Sequence, residues 1–236
     1  MRTSPEADLP FADRAAAGRA LGERLAALHL IQPVVLALPR GGVPVGLEVA
    51  RALDAPLDLL LVRKIGVPFQ RELAVAAVLD GAEPVIVVDE PIRAELDIRQ
   101  SYIDQQARIE LAEIERRRRV YLGDRAPLPL VGRTAIIVDD GIATGTTVRA
   151  AIKGLRQRHP ARLVLAVPVA PPEAVAQLRP EVDDLVCLAQ PEIFGAIGYF
   201  YSDFHQLSDD EVVRALAAAP AAAHPASARQ GDAEPA

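Results

Sequence analysis

Two adjacent acids, Asp139 and Asp140, end the apolar run Ala135-Ile136-Ile137-Val138, and a small hydroxyl-rich loop, Gly141 to Thr147, follows them. A buried strand fixes the position of its own C-terminal end. Carboxylates placed there can accept hydrogen bonds from ribose hydroxyls or face a metal ion. The residues Ala143, Thr144, Gly145, Thr146 and Thr147 lead into a segment with helical periodicity, Val148 to Arg158. Free N–H groups and the macrodipole at a helix N-terminus favour a phosphate, and Gly145 allows close backbone approach or positive φ. The pattern predicts a grip on a phosphorylated sugar; its plainer alternative is a strand, turn and helix with solvated acids. A P-loop is excluded, because Thr146 stands where its lysine belongs, and Gly41, Gly42 and Gly46 do not fit the dinucleotide fingerprint.

Two further segments carry cations. Pro39-Arg40-Gly41-Gly42 follows the apolar run Val34 to Leu38, so successive N–H groups and a guanidinium can meet an anion there, although the same residues also suit a plain turn. In Val62-Arg63-Lys64-Ile65-Gly66, Lys64 supplies a point charge, and Arg63 can pair with a phosphate or with a nearby acid.

These groups need a scaffold, and the chain supplies an alternating one. Helical spacing runs over Phe11 to Leu30 and Val43 to Leu53. Strands are expected at Val34 to Leu38, Leu57 to Val62, Ala135 to Val138, Leu163 to Val169 and Leu185 to Leu188. Leu73 to Leu79 and Val85 to Asp89 read as a hairpin turning at Asp80-Gly81. Ile92 to Tyr121 reads as a long polar helix with an Ile103, Ala107, Leu111, Ile114 stripe, and Asp209 to Ala217 as the last helix. The expectation is an α/β fold with a mostly parallel sheet and ligands at the C-terminal strand ends. The domain is expected over residues 11–216, with a core at about 33–170, a flexible segment at 1–10 and a disordered Ala/Pro-rich tail at 217–236.

The chain of 236 residues is half hydrophobic and carries a formal charge of −6, which gives no general attraction to nucleic acid or anionic membrane. No apolar run approaches the ~20 residues of a membrane span. Met1 to Pro10 lacks the apolar core of a secretory signal. Cys187 is the single cysteine, which excludes an internal disulfide, and its apolar neighbours predict an inert thiol. A soluble cytoplasmic protein without nucleic-acid or membrane partners is expected.

The run from Ala135 to Thr147 resembles the phosphoribosyl-pyrophosphate (PRPP) signature of the type I phosphoribosyltransferases: apolar residues, two acids, then small residues around Gly and Thr. Gly141 departs from it, standing where that family usually has an aliphatic residue. The Arg-Gly-Gly loop is a form taken by that family's pyrophosphate loop. Val62 to Gly66 resembles an Arg-Lys pair near the second core strand, whose lysine meets pyrophosphate, so Lys64 is favoured over Arg63. Pro33 to about Leu207 is therefore similar to a type I phosphoribosyltransferase, closest to a group of predicted members without a settled substrate. The resemblance implies a parallel central sheet with flanking helices, a hairpin and long-helix insertion at about 65–131, and a small hood at 190–207.

It also implies displacement of pyrophosphate from C1 of PRPP by a small-molecule acceptor. Mg²⁺ would be carried on PRPP near Asp139 and Asp140. Asp139 and Asp140 would be the catalytic pair, with Ala143 to Thr147 on the 5′-phosphate and Arg40, Gly41, Gly42 and Lys64 on pyrophosphate. Ala143 replaces the aspartate that handles the base proton in the hypoxanthine/guanine branch, and the acceptor stays open. So does the oligomeric state, a homo-oligomer included.

About seventy residues separate Lys64 from the signature, a span the family uses for a mobile loop. Arg116 to Arg119 suits a solvated, cationic helix end. Glu192 to Leu207 gathers Phe194, Tyr199, Phe200, Tyr201 and Phe204, in a chain that has only four tyrosines, five phenylalanines and no tryptophan. Phe194, Tyr199 and Tyr201 are hood candidates that could stack on a base, or members of a satellite core. His205 is a weaker base-contact candidate. A PRPP-sensing regulator and a sugar-phosphate hydrolase or phosphorylase are the rival classes.

Overall fold

The computed structural model of the chain describes residues 9–81 and 84–220. Most of the expected flexible N-terminus and Ala/Pro-rich tail lies outside the described residues. The central sheet is parallel, in the order β2-β1-β6-β7-β8, with β1 Pro33–Ala37, β2 Leu57–Leu59, β6 Thr134–Val138, β7 Arg162–Val169 and β8 Asp184–Ala189. β1 pairs in register with β6 from Pro33↔Thr134 to Ala37↔Val138, so both strands end at the same level.

All five β6 positions are buried, because both faces of the sheet are covered. Alternation sends Val35, Ala37, Ile136 and Val138 to one core with Leu21 and Leu25 of α1 (Arg14–Ala26) and Val45 and Val49 of α2 (Gly42–Ala52). Val34, Leu36, Ala135 and Ile137 enter a second core with Ile152 and Leu155 of α5 (Thr146–Arg156) and Val175 and Leu178 of α6 (Pro172–Leu178). Each fully buried Leu, Ile or Val contributes roughly 1.5–3 kcal/mol of transfer free energy. α1 can lie close on α2 because Gly18 has no side chain: a Cβ there would be 2.7 Å from the Val45 carbonyl oxygen.

The second segment differs from expectation. Leu57 to Val62 is not one strand; the chain leaves the parallel sheet after Leu59. Val62 to Gly66 does not follow the end of that strand but forms most of β3 (Val62–Val67). It joins β4 (Gln70–Leu79) and β5 (Val85–Val88) in an antiparallel sheet ordered β3-β4-β5. The expected hairpin is therefore preceded by a tighter one between β3 and β4, where Val67 pairs with Gln70. A buried charge cluster holds this arrangement in place. Arg118 donates to Asp80 at 2.7 Å and to both Asp58 oxygens at 3.2 Å, while Asp80 accepts the Leu61 N–H and Asp58 those of Leu59 and Leu128. Asp58 and Asp80 are about 2–3% exposed, and the cluster fastens one sheet to the other.

Arg118 lies in α4 (Gln100–Leu122), so the Arg116 to Arg119 run is not simply a solvated end. The long helix is also divided: α3 (Glu90–Glu95) stops before Asp97, whose φ of 48° interrupts the helix. α7 (Asp209–Ala217) closes the described chain behind a Ser208/Glu211 capping box. No helix among the described residues is long and apolar enough to cross a membrane.

Candidate active site

The C-terminal ends of β1 and β6 meet side by side, and the two segments that follow them touch. A Cβ added to Gly42 would lie 2.6 Å from the Val138 carbonyl oxygen and 3.0 Å from the Asp139 Cα. One added to Gly41 would collide with the Asp140 Oδ2. Only glycine lets this loop lie on the acids. Asp139, Asp140, Gly41 and Gly42 are thus one constellation, although about a hundred residues separate them.

The two acids do different things. Asp139 is half-buried and opens into a cavity of about 220 Å³ lined also by Pro39, Val62, Arg63, Arg117 and Thr147. Asp140 is 7% exposed. Its Oδ2 accepts from Arg14 Nε at 2.8 Å, and its backbone carbonyl accepts from the Tyr201 hydroxyl. Burial pushes both carboxyls above the ordinary range. Asp139 is pushed well above it, because the charge of Asp140 adds to burial. Arg14 partly offsets the same effect at Asp140. The two carboxyls therefore titrate as a coupled pair, with the stronger upward push on Asp139.

The phosphate-loop candidates are exposed where a ligand needs them. Gly145 has φ 74°, the left-handed conformation, and starts α5 without any side-chain cap. The first α5 hydrogen bond is Arg149 N–H to the Gly145 carbonyl, at 2.8 Å, which leaves the preceding N–H donors facing out. Ala143, Thr144 and Thr146 are exposed and Thr147 is half-buried; the Thr144 and Thr146 hydroxyls stand 3.3 Å apart.

The cations are arranged differently from the sequence expectation. Successive β3 side chains point to opposite faces. That puts Arg63, not Lys64, in the Asp139 cavity, paired with Glu110 at 2.7 Å. Lys64 lines a neighbouring cavity of about 250 Å³ with Thr146, Arg149 and Lys153. Arg117, expected among the solvated residues of its run, lines the same cavity from α4 and pairs with Glu113 at 2.8 Å. No spacing signal could have found it, because β3 and α4 come together only through the antiparallel sheet. Arg40 leans the other way, 3.7 Å from Asp209, which also accepts from the Tyr121 hydroxyl.

The aromatic segment divides in the same manner. Tyr201 is 5% exposed and stacks on Phe204 at 5.1 Å, so it supports the acids from below and has no free face for a base. Phe194 packs half-buried on Phe200, with centroids 5.0 Å apart. Tyr199 is 78% exposed and keeps an open ring. His205 is exposed between Asp203 and Glu211, which raise its pKa by hydrogen bonding, so both ring nitrogens are already engaged. Burial pushes the Cys187 thiol up to about 11, which leaves it protonated near neutral pH.

Among the described residues, no group of three or more His, Cys, Asp or Glu side chains is placed to hold a metal ion. Asp139 alone offers an open carboxylate beside the cationic cavity. That donor set fits a divalent ion that arrives on a polyanionic ligand and takes one protein oxygen.

A family profile described as phosphoribosyl transferase domain matches residues 13–204. A protein of Mycobacterium tuberculosis H37Rv, provisionally named a phosphoribosyl transferase, is 48% identical over 206 residues, which make up 87% of this chain and 46% of that protein. Its counterpart in strain CDC 1551 / Oshkosh gives the same figures. The chain spans about half the length of these curated relatives. A crystal structure of a protein from Thermus thermophilus aligns with a TM-score of 0.77 at 42% identity, covering 88% of this chain and 98% of that one.

Proposed function

The chain belongs to the phosphoribosyltransferase family, and from that premise we propose that it transfers the 5-phosphoribosyl group of PRPP to a small-molecule acceptor, releasing pyrophosphate. The observation that carries this reading is the meeting of three features at the C-terminal ends of β1 and β6: the uncapped α5 N-terminus, the half-open Asp139, and the Gly41-Gly42 loop lying on the acids. Their order follows a phosphorylated sugar from end to end.

In this reading Thr144 to Thr147 hold the 5′-phosphate through N–H groups and hydroxyls. Asp139 accepts from ribose hydroxyls and, once ionised, stabilises positive charge that develops on the sugar. The Gly41-Gly42 loop, Arg63 and Arg117 receive the pyrophosphate, and Arg40 joins them by leaving its long contact with Asp209. Asp139 would meet a Mg²⁺ carried on PRPP, which would supply neutralisation of charge on the leaving group. Binding at the remote phosphate positions C1 for displacement. The acceptor lies on the side of Ala143, which itself offers no acidic side chain for a base proton. The insertion, which supplies Arg117, acts as the lid. A cytoplasmic setting accords with the single unpaired thiol.

Titration calorimetry with Mg²⁺ and PRPP tests the reading. Binding is expected, with ribose 5-phosphate and orthophosphate as competitors, and thermal unfolding should show stabilisation of about 2.7 kcal/mol at a hundredfold excess over Kd. Folded protein that ignores millimolar PRPP overturns the proposal. Pyrophosphate release across a panel of bases, amines and orthophosphate then identifies the acceptor and separates a transferase from a regulator or a hydrolase.

A further inference from the structure

We propose that Arg14 is a positioning residue for the pyrophosphate end of the site, acting through Asp140 on the Gly41 loop; this rests on the phosphoribosyl-transfer reading above. Arg14 occupies the first turn of α1, where a cation opposes the helix dipole. It is also 8% exposed, and arginine is almost never buried unless it is paired. Nothing within α1 compensates for this. The partners come from elsewhere: Nε donates to Asp140 Oδ2 at 2.8 Å, Nη1 donates to the His205 carbonyl at 3.0 Å, and the guanidinium lies 3.8 Å above the Phe204 ring. One side chain therefore joins the N-terminal helix, the β6 end and the hood segment.

Its grip matters because of what Asp140 touches. The Oδ2 that accepts from Arg14 is the atom nearest to a Cβ placed on Gly41. The Tyr201 hydroxyl holds the backbone of the same residue. Asp140 is thus clamped at both ends and forms a floor beneath the loop that presents Gly41 and Gly42. Without the guanidinium, its carboxylate is buried beside Asp139 with no counter-charge, so it must turn away or take up a proton. Turning away removes the floor, and protonation leaves it without the ion pair that fixes its place. The 5′-phosphate loop does not share this support: Gly145 packs on Leu178 and Ile142.

The test measures two ligands in Arg14→Gln and Arg14→Lys variants of the full chain. Inorganic pyrophosphate with Mg²⁺ reports on the Gly41 loop, and ribose 5-phosphate on the Thr144 to Thr147 loop. In Arg14→Gln, pyrophosphate affinity should fall by at least ~10-fold, as for loss of a charge-assisted contact, while ribose 5-phosphate changes by less than ~3-fold. Arg14→Lys keeps a cation within reach and should recover most of the loss. If Arg14→Gln does not fold, the smaller split of Arg14→Lys against wild type carries the test. Equal weakening of both ligands, or of neither, in folded variants overturns the proposal and points to a merely structural arginine. Wild-type protein that binds neither ligand sinks the phosphoribosyl reading itself, and this inference with it.

Discussion

Ile197 occupies the space that Gly141 leaves empty: a Cβ on Gly141 would lie 2.7 Å from the Ile197 Cγ2 and 3.0 Å from a Val169 methyl. An aliphatic group is therefore present at this point of the acid-bearing loop, but it arrives from the hood segment rather than from the loop. The space beside Gly141, where the PRPP signature usually has an aliphatic residue, is filled by Ile197 and Val169.

Gly141→Ala should accordingly destabilise the protein by about 1–3 kcal/mol through overpacking. Shortening the opposing side chain with Ile197→Ala should restore much of that loss in the double variant. Urea unfolding of the four-member cycle should show a coupling of roughly 0.5–3 kcal/mol. Strict additivity would mean that the two residues do not share the space.

Asp139→Asn should be more stable than wild type at pH 7–8 and equal to it at acid pH. Burial and Asp140 raise the Asp139 pKa in the folded state. Such a group favours folding below its unfolded pKa, and that contribution is lost as pH rises through the raised folded value. The amide never ionises and escapes the loss. A Tm gain of about 2–4 °C near neutrality, for roughly 1 kcal/mol, should shrink towards pH 4 in a thermal unfolding series. Turnover should fall at least ~100-fold in the same variant, so stability and activity move in opposite directions.

Arg63→Ala should weaken pyrophosphate binding roughly ten- to a hundredfold, and Lys64→Ala only slightly. Strand alternation puts Arg63 in the Asp139 cavity and Lys64 in the neighbouring one. Competition curves for pyrophosphate and ribose 5-phosphate in both variants check this. A larger pyrophosphate loss in Lys64→Ala would return the role to the lysine.

Arg118→Met should cost about 3–5 kcal/mol, far more than any other member of its arginine run, because it leaves Asp58 and Asp80 buried without their shared cation. Arg119, which pairs on the exposed face of α4 with Glu115, should change stability by less than ~1 kcal/mol. Denaturant unfolding of the two variants makes the comparison.

The parallel sheet was legible because its strands are continuous apolar runs that only a two-sided core requires. The loop from Asp139 to Thr147 was legible because strand end, acids, glycine and helix start all fall within one short segment. What stayed hidden depends on contacts between distant segments. Lys64 and Arg63 are neighbours in sequence, and choosing between them needed the strand that Val62 to Val67 forms. Tyr201 could not be told from Tyr199 by composition, since burial under Asp140 decides between them. Arg118 sat unremarked in a run of four like residues, and only the buried Asp58 and Asp80 distinguish it.

Arg14 meets Asp140 across 126 positions and the His205 carbonyl across 191. On a chain that emerges from the ribosome in N-to-C order, the arginine therefore waits for residue 140 and then for residue 205 before its partners are present. Until residue 140 is out, α1 carries an unmatched charge beside the apolar stripe Ala17, Leu21 and Leu25, and until residue 205 is out that guanidinium lacks its carbonyl acceptor. Closing a loop of that length is entropically slow, and half-made chains expose the stripe meanwhile. Translation arrested between β6 and the hood should yield a polypeptide that contains both acids and the phosphate loop yet clings to chaperones and stays open to proteases.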